Sequence, residues 1–109
     1  MDDSVTAVAS TGNLIAENAE EAERFLRAMA NRNRLMVLCS LVPGELSVSA
    51  LLGRVPLSQS ALSQHLAVLR NQGLVETRRE AQTIHYRIAD PRVRRLMPLL
   101  CEVLTEAPD

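Results

Sequence analysis

Apolar residues recur three and four positions apart from Asn13 to Ala30, at Leu14, Ile15, Ala19, Ala22, Phe25, Leu26 and Met29, which is the spacing of one helical face. A second helix is expected in NRNRLMVLCSLV, where Leu35, Leu38 and Val42 share a face with Cys39 beside Leu38, and where Pro43 and Gly44 end the run. SVSALLGRVP reads as a short third helix, capped by Ser47, presenting Val48, Leu51 and Leu52, and closed by Pro56. The most regular stretch is LSQSALSQHLAVLRNQGL. Ser58 stands where a cap is wanted, Leu62, Leu66 and Leu69 form one stripe, and Gly73 falls where a left-handed residue ends a helix. VETRR and TIHYRI, separated by EAQ and rich in Val, Thr, Ile and Tyr, predict a β-hairpin. Asp90 before Pro91 is a matched start signal for a last helix through VRRLMPLLCEVL, which carries Pro98 in its interior. Residues 1–12 are small, polar and acidic with no period, so they are expected to form a flexible tail ahead of one domain over residues 13–107.

Composition narrows the class. In 109 residues, 47% are hydrophobic but only 2% aromatic, so the core must be aliphatic, which favours helices. No apolar run approaches the roughly 18 residues of a membrane span, and the start lacks the basic and apolar stretches of a secretory signal. A cytoplasmic protein with no membrane partner is expected. In that reducing setting Cys39 and Cys101 are either inert core residues or a switchable pair.

The formal net charge of −1 argues against a nucleic-acid partner, but its distribution argues for one. Between residues 54 and 95 lie eight arginines against Glu76, Glu80 and Asp90, an excess of five positive charges inside a slightly acidic chain. Every basic residue of the chain is Arg, the side chain suited to bidentate phosphate or guanine contacts. Two short helices followed by an arginine-bearing hairpin predict a winged helix-turn-helix: mainly α, about five helices plus a two-stranded wing. Its fourth helix would enter the major groove with Ser58, Gln59, Ser60, Ser63, Gln64, His65 and Arg70 as candidate contacts, and its wing would bring Arg78 and Arg79 to the backbone or minor groove. Ser63 and His65 have no matching acid or elbow turn, so catalysis is not expected.

The runs LRAMANRNRLMVLCSL, GELSVSALL and LSQSALSQHLAVLRNQGLVETRREAQTIHYRI together resemble the ArsR/SmtB family of dimeric bacterial repressors, over roughly residues 20–104. The resemblance implies a homodimer on double-stranded operator DNA. Metal sensing is not expected: the third-helix stretch offers Ser47 and Ser49 where metal sensors carry cysteines, and no His follows Asp90 on the last helix. No cofactor is expected either. The thiol-based, HlyU/BigR/SqrR-like branch fits better, because it carries one cysteine on the second helix, where Cys39 falls, and one on the last. That second cysteine is expected near position 105, where this chain has Thr105, whereas Cys101 comes one turn earlier on the same face, just after Pro98. The resemblance therefore implies operator release by reactive sulfur species or oxidation through Cys39 and Cys101. A repressor of the same family answering to another ligand or a metal, and a winged-helix module that binds protein, remain open alternatives.

Overall fold

Asn31 starts the second helix by accepting, through its side chain, hydrogen bonds from the backbone N–H groups of Asn33 and Arg34, and Ser47 and Ser58 cap the two helices that follow in the same way. The computed structural model describes residues 16–105, so the tail over residues 1–12 and the domain edges at 13–15 and 106–107 lie outside it. The described elements are α1 (Ala19–Met29), α2 (Arg32–Leu41), β1 (Leu46–Ser47), α3 (Val48–Leu52), α4 (Gln59–Asn71), β2 (Val75–Glu80), β3 (Thr83–Ile88) and α5 (Pro91–Thr105). Ser47 Oγ accepts from Ala50 N and Ser58 Oγ from Ala61 N, each at 3.1 Å, satisfying a first-turn donor of α3 and of α4. Gly73 takes φ +74° just past α4, a conformation open to glycine without a Cβ clash.

The leucine stripe of α4 is the centre of the core. Leu62, Leu66 and Leu69 are buried against Val37, Leu38 and Leu41 of α2, Leu51 of α3, and Val93 and Met97 of α5. Leu74, Val75 and Ile88 bring the base of the hairpin onto the same cluster. The sheet has three strands rather than the two expected, in the order β1-β3-β2. The added strand pairs Leu46 with Tyr86 and Ser47 with His85, and two residues are too short a run for alternation to be seen in the sequence.

Alternation along the hairpin separates two faces. Val75, Thr77 and Arg79 share a face with Ile84, Tyr86 and Ile88, while Glu76, Arg78 and Glu80 share the opposite, polar face with Thr83, His85 and Arg87. At the turn, Ala81 holds φ +56° without being glycine.

Asp90 starts α5 as its sequence position predicts. Its carboxylate accepts from Arg92 N at 2.8 Å and from the Arg92 guanidinium, which holds the carboxyl below its ordinary range. Arg92 also pairs with Glu21 and lies 4.3 Å over the ring of Phe25, tying α5 to α1. Because the folded-state pKa of Asp90 is depressed, its contribution to stability is complete above the unfolded value of about 4 and is lost as pH falls through the lower folded value. Asp90→Ala is expected to cost about 1 kcal/mol at neutral pH. Asp90→Asn should keep the cap but lose this acid sensitivity, which urea unfolding between pH 7 and the acid limb measures.

Candidate nucleic-acid interface and dithiol

Burying the 62/66/69 face of α4 turns its remaining polar residues outward. Gln59, Ser60, Ser63 and Gln64 are exposed, and none makes a side-chain hydrogen bond or ion pair among the described residues. Ser58 is spent differently, since its hydroxyl is the cap. Arg70 is exposed in the last turn, nearly three turns from Ser60, so it flanks this surface rather than joining its leading end. A helix N-terminus with unengaged Gln and Ser side chains offers donors and acceptors to base edges, and its backbone N–H groups and dipole favour phosphate.

His65 is placed otherwise than its neighbours. It is half-buried, with Nδ1 3.5 Å from a terminal nitrogen of Arg34 on α2. Arg34 donates through Nε to the carbonyl of Ala28 at 2.6 Å, so one guanidinium joins the end of α1, the start of α2 and the middle of α4. The sequence reading named His65 as a candidate DNA contact but gave no sign of Arg34, which lies 31 positions away.

The two wing arginines also part company. Arg79 is exposed and has no polar partner among the described residues. Arg78 is gripped by two carboxylates: Nε lies 3.2 Å from both oxygens of Glu45, Nη2 approaches Glu45 Oε1, and Nη1 is 2.9 Å from Glu80. The Arg78 guanidinium holds the Glu45 carboxyl below its ordinary range, and the two carboxylates hold Arg78 firmly in its charged form. On the same face Arg87 pairs with Glu76 at 2.6 Å.

Cys39 and Cys101 are joined as a disulfide between α2 and α5, with their Cα atoms 6.8 Å apart. That separation is at the upper end of what a disulfide spans. Cys101 is half-buried against the core, but Cys39 is exposed, so it is not the small core residue its leucine neighbours suggested. Thr105, one turn beyond, donates its hydroxyl to the Cys101 carbonyl at 2.6 Å, which places both residues on one side of α5. Four residues along a helix move a side chain about 6 Å along the axis, and α2 is near enough here to meet Cys101. Among the described residues no three His, Cys, Asp or Glu side chains gather where they could hold a metal ion, and no helix is long and apolar enough to cross a membrane.

Three helices in helix-turn-helix order, a three-stranded sheet ending in a wing, and an unengaged polar face on the second helix of that unit define a winged helix-turn-helix transcription regulator. Residues 31–77 match the family described as bacterial regulatory protein, arsR family. The chain is 50% identical over 91 residues to the transcriptional activator HlyU of Vibrio cholerae, covering 84% of each chain. Its structure superposes on the transcriptional repressor BigR of Xylella fastidiosa with a TM-score of 0.81 at 35% identity, covering 87% of this chain and 97% of BigR. It also superposes on the homodimeric winged helix-turn-helix DNA-binding domain Mb0332 of Mycobacterium bovis, with a TM-score of 0.71 at 36% identity over 82% of each. The chain belongs to the ArsR family of bacterial transcription regulators, and it is not an enzyme.

Proposed function

We propose that this regulator is a cytoplasmic homodimeric repressor of operator DNA, released when Cys39 and Cys101 are bridged by reactive sulfur species or oxidation. The observation that carries the proposal is the meeting of two cysteines 62 positions apart, one of them exposed, between the helix that precedes the DNA-reading unit and the last helix. Exposure lets a sulfur donor reach Cys39, and proximity lets Cys101 resolve the product.

The chemistry balances in two displacements. The Cys39 thiolate attacks the outer sulfur of a persulfide, becoming a protein persulfide and expelling the donor's thiolate. The Cys101 thiolate then attacks the inner, protein-bound sulfur, forming the disulfide and expelling hydrosulfide; the donor supplies the two-electron oxidation. A bridge that retains further sulfur atoms follows if a second donor sulfur is captured first.

Contacts to DNA are assigned to Gln59, Ser60, Ser63 and Gln64 in the major groove, with Ser58, His65 and Arg70 flanking and Arg79 and Arg78 on the wing. Homodimerisation is supported by apolar side chains left in solvent on α1 and α5: Leu26, Leu99, Val103 and Leu104 are each more than half exposed. Repression is the sense named for BigR, and dimerisation that named for Mb0332. Because a two-fold operator presents half-sites about 34 Å apart, a bridge that shifts α5 against α2 alters the spacing of the two α4 helices and loses one half-site.

Fluorescence anisotropy on duplex DNA from upstream of its own gene tests this, with reduced protein and protein treated with an organic polysulfide, and intact mass read on the same samples. The expected result is salt-sensitive binding when reduced, lost in step with a sulfur bridge, and untouched by treatment in Cys39→Ser. Binding that survives bridging would return both cysteines to a structural role and favour a repressor answering to another ligand. Absence of salt-sensitive binding in every state would favour a protein-interaction module.

A further inference from the structure

The polar face of the wing carries Arg78 among carboxylates, and the closest of them is not local. Glu80 is two positions away on the same strand, but Glu45 comes from 33 positions earlier, in the loop between α2 and β1. The strand pairing explains the encounter: Ser47 and Arg78 both register with His85 across β3, so the sheet puts the residues just before β1 over the same face as Arg78. Glu45 uses both oxygens on one guanidinium, the geometry with which a guanidinium also holds a phosphate. Both side chains remain partly exposed, at 42% for Arg78 and 32% for Glu45, so the pair lies open to a competitor.

We propose that Glu45 is a built-in competitor for DNA phosphate: its carboxylate occupies Arg78 in the free protein and must yield the guanidinium when the wing meets the backbone. The proposal rests on the DNA-binding reading above and deepens it, because it makes Glu45 a residue that sets affinity without touching DNA. An exposed ion pair contributes little to folding, so removing it should leave the fold intact. Its cost falls on binding instead, where one phosphate contact is made only after an intramolecular contact is broken. Arg79, on the opposite face and without a carboxylate partner among the described residues, carries no such cost.

The test uses the reduced full chain and a fluorescein-labelled duplex of about 30 base pairs, long enough for two half-sites about one helical turn apart, titrated at several salt concentrations. Glu45→Gln is expected to bind about three- to tenfold tighter, because Arg78 then reaches phosphate without first giving up a carboxylate, while the slope of log affinity against log salt stays close to that of the unmodified protein, since the same phosphate contact is made. In an Arg78→Ala background the same Glu45→Gln change should have no effect, which ties the gain to this guanidinium rather than to the loss of one negative charge. Equal or weaker binding by Glu45→Gln, or a gain that persists in Arg78→Ala, overturns the proposal. Failure of the unmodified protein to bind any duplex in a salt-dependent way overturns the DNA-binding reading with it, so the two failures are told apart in one set of titrations.

Discussion

Oxidised protein is expected to unfold with about 2–4 kcal/mol more free energy than the same protein treated with a thiol-free phosphine reductant. The bridge closes a loop of 62 positions, for which the chain-entropy relation gives about 4 kcal/mol and for which native bridges are typically worth 2–4. In a domain of this size that is about 10 °C or more in Tm. Because a dimer's melting depends on protomer concentration, both states must be compared at one concentration. Cys39→Ser should melt with the reduced protein and ignore the reductant. Coincident transitions of oxidised and reduced protein would mean that the two sulfurs do not cross-link in solution, and the switch would lose its mechanism. The prediction also separates stability from function: oxidation should make the fold harder to unfold while making DNA harder to hold. A chain that simply damaged its fold on oxidation would lose both together.

The sequence carried most of the architecture because the strongest local signals agree with one another. A leucine every three to four residues in α4, a serine before it and a glycine after it all specify one helix, and each does so within a few residues. The start of α5 at Asp90 and Pro91 is legible for the same reason. What escaped is long-range or very short. β1 has two residues and depends wholly on β3 for its hydrogen bonds. Arg34 meets His65, and Glu45 meets Arg78, across more than 30 positions, and nothing local marks either pair. The exposed polar face of α4 was legible from the spacing of its leucines, but Arg78 and Arg79 read as equivalent neighbours when a strand sends them to opposite sides. Cys101 shows a third limit: the sequence placed it one turn before position 105 on the same face, but its 6.8 Å Cα separation from Cys39 depends on how α5 packs on α2, which no local pattern records.

The opposed faces of α4 give the sharpest contrast between folding and reading. Leu66 is 1% exposed at the centre of the core, and Leu66→Ala is expected to cost about 3–4 kcal/mol by removing buried methyl groups and leaving a cavity. Two positions earlier Gln64 is exposed, with no polar partner among the described residues, so Gln64→Ala should leave stability unchanged or raise it slightly, since alanine is the better helix former. Its effect should appear on DNA alone. A Gln held bidentate to an adenine is worth about 1–3 kcal/mol of discrimination, and a two-fold dimer loses it twice, so operator affinity should fall at least about thirtyfold. Non-specific binding, set by arginines and phosphates, should change little, and the salt slope should stay where it was. Urea unfolding and anisotropy on operator and scrambled duplexes measure the two quantities on the same samples. A Gln64→Ala protein that keeps its operator preference would move base reading away from this face of α4, toward Gln59, Ser60 or the wing.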